Sequence, residues 1–206
     1  MYKIRLISCY FGELKSEFYL WLNSCGYNKT IDFLFVTDQE IIADICPPNV
    51  KILHTTLKCI KDVADRIFNF DVELGTPYKL CDYKVAYGLI FQEELRQYDF
   101  WGYCDSDMVL GNIRKYITDE ILEGYDKILP LGHLSIYRNT DEINRRFMEC
   151  PDIMDYHEVF SSPRIFQFDE TPGIYAMYKK RSWRMLEYIP FLDIVYVNLT
   201  KACFAF

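Results

Sequence analysis

Apolar runs of strand length alternate with helix-length segments from the first residues of this chain onward, and that alternation restricts it to an α/β fold with a mostly parallel central sheet flanked by helices. Lys3 to Cys9 is the first such run, with a turn at Tyr10-Phe11-Gly12 at its carboxyl end. A helix is expected over Leu14 to Ser24, with Phe18, Trp21 and Leu22 on its apolar side and Gly26 as its stop. A second strand is expected at Ile31 to Thr37, ending in Asp38, and a third at Val50 to His54 after the Pro47-Pro48 turn. Thr56 stands where it can cap a helix running toward Phe70. In such a sheet, ligands gather in the crevice at the carboxyl ends of the strands.

One strand end carries more chemistry than the others. The segment from Pro77 to Gln97 reads as a long helix leading into Asp99-Phe100-Trp101-Gly102-Tyr103-Cys104, an aromatic strand that stops at Asp105-Ser106-Asp107. Side chains alternate along a strand, so Asp105 and Asp107 point the same way and can offer oxygens to one hard cation, Mg or Mn. A bare pair of this kind arises about once by chance in so Asp-rich a chain. Its position at the end of a buried strand is what gives it weight, against the competing account of a solvated turn or helix-capping Asp.

Beyond Gly111, a helix is expected over Ile113 to Leu122, strands at Asp126 to Leu131 and Leu134 to Arg138, and a helix at Asp141 to Met148 capped by Thr140. Pro151 to Pro163 reads as a loop, Glu170 to Tyr188 as largely helical, and Ile194 to Leu199 as a last strand. There is no repeat, low-complexity tract or linker. The 206 residues, half of them hydrophobic, are therefore expected to form one domain, 1–206.

A formal charge of -7 argues against the basic surface that nucleic-acid binding requires, while local basic residues can still hold one small anion. It also means that a diphosphate held beside Asp105 and Asp107 needs a divalent cation between the like charges. The cysteines at 9, 25, 46, 59, 81, 104, 150 and 203 contain no C-x-x-C pair and are expected to be reduced, mostly apolar packing residues, as in a cytosolic protein. No run approaches the ~18 apolar residues of a membrane span. Lys3 and Arg5 interleave with Ile4, Leu6 and Ile7 as in a strand rather than a secretory leader, so the glycosylation sequons at Asn28 and Asn198 are read as coincidence.

With Tyr10-Phe11-Gly12 after the first strand, then Pro77-Tyr78-Lys79-Leu80-Cys81-Asp82-Tyr83-Lys84 with Tyr87-Gly88, then Tyr98 through Asp107, the chain resembles a bacterial polysaccharide-biosynthesis glycosyltransferase family with the GT-A fold. Gly132-His133-Leu134-Ser135-Ile136-Tyr137-Arg138-Asn139 and Phe168-Asp169-Glu170 are similar to that family's later motifs. The resemblance implies transfer of a sugar from a nucleotide diphosphate donor to a glycan or lipid-linked acceptor. It makes Asp105 and Asp107 the D-x-D pair, bridged by Mn or Mg to the donor diphosphate, with Ser106 among the donor contacts.

Lys79, Asp82 and Lys84 are then expected near the diphosphate or donor sugar, though the same spacing also describes an ordinary exposed charge set. Tyr10, Phe11 and Gly12 would meet the base and ribose, while a core role for Phe11 stands equally in a chain that is 17% aromatic. His133 is a donor-site or structural histidine. Asp169 and Glu170 are candidate general bases or an acidic pair at a helix start. The Pro151 to Pro163 loop would be an acceptor-facing flap.

The chain stops at Lys201-Ala202-Cys203-Phe204-Ala205-Phe206, short for such enzymes. That leaves open a shortened enzyme, a truncated coding sequence, or reliance on another chain or the membrane surface for acceptor binding. It also raises an alternative function, a catalytically silent nucleotide- or glycan-binding module working with a partner transferase. An aspartyl phosphatase and a sugar-phosphate nucleotidyltransferase fit less well. The residues after Asp107 lack the first's small-residue turn, and the first strand lacks the second's glycine-rich basic loop.

Overall fold

The computed structural model describes residues 1–41 and 45–187. Its first half follows the expected alternation: β1 (Ile4–Cys9), α1 (Glu17–Tyr27), β2 (Asp32–Thr37), β3 (Val50–His54) and α2 (Leu57–Phe68). Thr56 caps α2 as anticipated, its hydroxyl accepting from the Cys59 amide. Helix α1 runs through Gly26 and closes one residue later, against Asn28.

The expected long helix between Pro77 and Gln97 is instead a bent series: single 3-10 turns alternating with α3 (Leu80–Tyr83), α4 (Tyr87–Ile90) and α5 (Gln92–Leu95). A straight helix buries one stripe. Here Leu80, Tyr83, Val85, Ala86, Tyr87, Leu89, Ile90 and Phe91 are all buried, so the run bends to follow the sheet beneath it. Gly88 lies against Trp101 and Asn144, where a Cβ would come within 2.7 Å of both.

The aromatic strand is β4 (Phe100–Cys104), followed by α6 (Asp119–Gly124), β5 (Lys127–Ile128), β6 (Leu134–Arg138), α7 (Asp141–Arg145), α8 (Tyr156–Ser161), α9 (Ala176–Arg181) and β7 (Met185–Leu186). The single helix expected over Ile113 to Leu122 is split, because Asn112 and Thr118 each cap a separate start. Strand β5 is shorter than expected, since Leu129 turns the chain at φ 67. The expected loop at Pro151 to Pro163 contains α8, whose Phe160 stacks on Tyr83 at 4.3 Å, so this part is core and not a flap. After Glu170 the chain forms a π turn and α9, which Ser182 ends at φ 53 ahead of β7. The strand expected at Ile194 to Leu199, the Asn198 sequon and the apolar terminus lie outside the described residues.

All seven strands join one sheet in the order β3-β2-β1-β4-β6-β5-β7. Strands β1 to β4 are mutually parallel where they pair, β6 runs antiparallel between β4 and β5, and β7 pairs parallel to β5. Alternation along each strand feeds two cores. Ile7, Leu34, Trp101 and Tyr103 face the layer containing α2, α4 and α8. Leu6, Phe33, Phe35 and Phe100 face α1 and the segment from Ile113 to Leu122. No helix among the described residues is long and apolar enough to cross a membrane.

The sequence passes from β1 to β2 on one side, and β4 returns on the other side of β1. The carboxyl ends of β1 and β4 therefore flank the point where strand order reverses, which in open α/β sheets is the ligand crevice.

Candidate active site

A cavity of about 720 Å³ opens at that point. Its lining includes Tyr10 and Phe11 after β1, Lys84 from the bent helical run, Asp105, Ser106 and Asp107 after β4, Gly132 and His133 from the turn before β6, and Asp169 and Glu170. These ten residues come from five segments far apart in sequence, and topology rather than local spacing assembles them. Gly12, Lys79 and Asp82, also expected at the donor, are not on the lining.

Lys84 is the hub. Its ammonium lies 2.7 Å from Asp105 Oδ1 and 3.4 Å from Asp169 Oδ2, and it donates to the Gly132 carbonyl at 2.8 Å. Burial works against its charge, but the two carboxylates outweigh that and raise its pKa well above the ordinary lysine value. Asp169 is pushed up to about 6, mainly by burial, with Lys84 pulling it back and Glu170 pushing it further up. Asp105 Oδ2 meets His133 Nδ1 at 3.2 Å, and the Asp105 amide donates to the His133 carbonyl at 3.0 Å.

Glycine is required at 132 by close approach. A Cβ there would fall 2.4 Å from Asp169 Oδ2 and 2.5 Å from Glu170 Oε1, and the Gly132 amide donates to that same Glu170 oxygen at 3.1 Å.

Strand β4 ends at Cys104, so Asp105 and Asp107 stand in the turn that follows and not on the strand, although both reach the cavity. Among the described residues no group of three or more His, Cys, Asp or Glu side chains forms a ready-made metal site. The two aspartates offer a hard, oxygen-only donor set, half-buried at Asp105 and exposed at Asp107. That set suits a cation of the Mg or Mn kind, which keeps water and phosphate oxygens in its remaining positions.

Tyr10 donates its hydroxyl to the Glu13 carbonyl at 3.1 Å, leaving its ring on the cavity edge. Phe11 is both cavity lining and part of the core. Gly12 takes φ 111 and gives its amide to Asp38 at 3.0 Å, so its part is to turn the chain.

Lys79 and Asp82 are corrected most. Both are buried, 2.8 Å apart, and Lys79 also donates to the carbonyls of Val159 at 2.8 Å and Arg164 at 2.6 Å. Asp82 accepts from the amides of Phe166 and Phe168, at 3.1 and 3.0 Å. The pair staples the segment before Asp169 to the helical run. Sequence reasoning passed over Tyr78, Ile165 and Gln167, which also line the cavity. It also passed over Lys127, a fully buried lysine behind the 129–133 turn, bonded to Ser135 Oγ at 2.7 Å.

The seven-stranded, mostly parallel mixed sheet, with a carboxylate-lined crevice at its switch point, is a fold shared with solved GT-A glycosyltransferases. The chain belongs to the family of unknown function DUF6625, whose sequence model matches residues 6–203. No curated protein matches it.

Among solved structures, the apo form of mouse xyloside xylosyltransferase 1 superposes with a TM-score of 0.51 at 10% identity, covering 91% of this chain and 84% of that one. At that identity the likeness is one of fold. The mannosyltransferase Ktr4p of S. cerevisiae (11% identity, TM-score 0.34) is matched over 63% of this chain and 39% of its own. Core-mannan synthase A of Aspergillus fumigatus, in a Mn/GDP form (8% identity, TM-score 0.33), is matched over 63% and 42%.

Proposed function

We propose that this protein is a glycosyltransferase, dependent on Mn or Mg, that moves a hexosyl-type unit from a nucleoside-diphosphate sugar to a glycan or lipid-linked acceptor in surface polysaccharide biosynthesis. Residues 1–206 would act as one domain in the cytoplasm, free or peripheral at the inner face of the membrane. The observation that carries this reading is the Lys84 ammonium held between Asp105 and Asp169, at 2.7 and 3.4 Å, inside a crevice of ligand size.

In this reading Tyr10 and Phe11 meet the nucleotide base, and Lys84, Ser106 and His133 face the diphosphate and donor sugar. Asp105 and Asp107 would hold the divalent cation, which when bound supplies Lewis-acid neutralisation of charge on the departing diphosphate. Asp169 is the base of an inverting displacement, and Glu170 holds the Gly132 turn against it. The acceptor hydroxyl oxygen bonds to the anomeric carbon while the bond from that carbon to the diphosphate oxygen breaks. The hydroxyl proton passes to Asp169, and the electron pair of the broken bond leaves with the nucleoside diphosphate. A carboxyl at about 6 is ionised at neutral pH yet basic enough to take that proton.

One observation favours a second reading. Asp105 Oδ1 is already engaged by Lys84, as it would be in a silent module that holds nucleotide or glycan for a partner transferase. Calorimetry and thermal shift with UDP and GDP, with and without Mn, separate the two when read beside donor hydrolysis. Binding that requires Mn, disappears in Asp105→Asn and accompanies turnover is the expected result. Binding without turnover selects the silent module, and a folded protein that binds neither nucleotide removes the transferase and the nucleotide-holding form of the module.

A further inference from the structure

The wall of the cavity that carries Asp169 is built with unusual care for a surface segment. Lys79 and Asp82 bond to its backbone from beneath, at Val159, Arg164, Phe166 and Phe168. As a result Ile165, Gln167 and Asp169 line the cavity, while Phe168 is buried in the core between them. Gln167 takes φ 56, a left-handed conformation that is strained for any residue with a Cβ. The two Asp82 hydrogen bonds on either side over-determine it, and strain maintained in this way is characteristic of residues that contact ligands. Tyr78, 70% exposed, lines the same cavity as Ile165 and precedes the Lys79 that binds the Arg164 carbonyl.

We propose that Tyr78, Ile165 and Gln167 form a subsite for one neutral pyranose ring of the acceptor, seated so that its hydroxyl faces Asp169. The ligand class follows from the side chains. An exposed phenol ring and an aliphatic chain offer a flat apolar platform to the C–H face of a pyranose, and a carboxamide both donates to and accepts from sugar hydroxyls. A phosphate or carboxylate would require a cation on this wall. Lys79 is 1% exposed with its ammonium committed to three protein acceptors, and Arg164, whose guanidinium lies over the Phe166 ring at 5.0 Å, is not on the cavity lining.

The inference rests on the transferase reading for the word acceptor, but its test does not need turnover. Saturation-transfer NMR would be run with methyl β-glucoside, β-galactoside, β-xyloside and α-mannoside as probes, on the wild type and on Tyr78→Phe, Tyr78→Ala, Gln167→Gly and Asp105→Asn. At least one glycoside is expected to receive saturation on its ring protons from the wild type, Tyr78→Phe and Asp105→Asn. A loss of about tenfold is expected in Tyr78→Ala and Gln167→Gly. Glycine adopts φ 56 without strain, so Gln167→Gly keeps the fold, which an unchanged melting temperature verifies.

If no glycoside binds, or if Tyr78→Ala and Gln167→Gly bind as the wild type does, the subsite is refuted. Calorimetry with UDP and Mn on the same preparations keeps the two readings apart. Nucleotide binding that fails while Tyr78-dependent glycoside binding persists removes the transferase and leaves the sugar site, and the converse removes only the subsite.

Discussion

Asp82→Asn is the substitution that most sharply separates what the fold does with this residue from what its sequence context suggests. The carboxylate is 0% exposed, accepts from two backbone amides and pairs with an ammonium that is 1% exposed. The carboxamide keeps the volume but not the charge, and its NH2 must face either those amide donors or Lys79, all of which are donors themselves. Breaking one side of a buried ion pair costs about 3–5 kcal/mol, because the remaining charge stays buried without a partner. For a chain of this size each kcal/mol lowers Tm by roughly 2–4 °C, which gives a fall of about 6–20 °C.

Lys79→Met has a different signature. It leaves Asp82 with its amide donors but strips the Val159 and Arg164 carbonyls of theirs. The double variant is therefore expected to cost less than the sum of the single ones, since each single change already forfeits the shared interaction. Differential scanning fluorimetry and urea titration measure the three stabilities, and hydrogen exchange at Phe166 and Phe168 reports whether the wall has come loose. If Asp82 instead met a donor sugar, Asp82→Asn would leave Tm within about 2 °C, as exposed changes do, while weakening donor use. That outcome, with exchange at Phe166 and Phe168 unchanged, would refute the staple.

Three further outcomes are expected. Since Asp169 acts as a base only when ionised and its carboxyl is pushed up to about 6, kcat/KM should rise with pH through about 6 and level off above it. A profile flat between pH 5 and pH 8, values spanning roughly a unit or more either side of that point, removes Asp169 as the base. Gly132→Ala drives a Cβ to 2.4 Å from Asp169 Oδ2 and should cost about 1–3 kcal/mol with a marked loss of turnover, and unchanged melting and turnover would contradict the packing. Burial lowers the Lys127 pKa to about 7 against the pull of Asp169 and Glu170. The unfolded chain thus binds more protons than the folded one above that pH, so wild-type stability should climb between about pH 7 and pH 10. Lys127→Met should lack this climb, and parallel Tm profiles for the two proteins would show the lysine to be normally charged.

What the sequence disclosed and what it withheld divide along a physical line. Strands β1 to β4 were legible because each is short, mainly apolar and bounded by turn residues. Val50–His54 and Leu134–Arg138 fall where their patterns begin and end. Asp105 was legible as a crevice residue because a carboxylate at the end of a buried apolar run has few places to go except a crevice; Asp169 stood out only through the resemblance of Phe168-Asp169-Glu170 to a family motif, and tertiary structure puts both on one cavity. Lys79 and Lys84 show where such reasoning stops. They share one helical run, both are lysines beside acidic residues, and no local pattern distinguishes them. One meets the carbonyls of Val159 and Arg164 and becomes part of the interior, while the other meets Asp105 and Asp169 and faces the cavity. The deciding groups arrive from segments remote in sequence, so the fate of each ammonium is a property of the tertiary contact and not of its own neighbourhood. The same holds for Gln167, whose left-handed backbone is imposed by the Asp82 carboxylate rather than by any preference of glutamine.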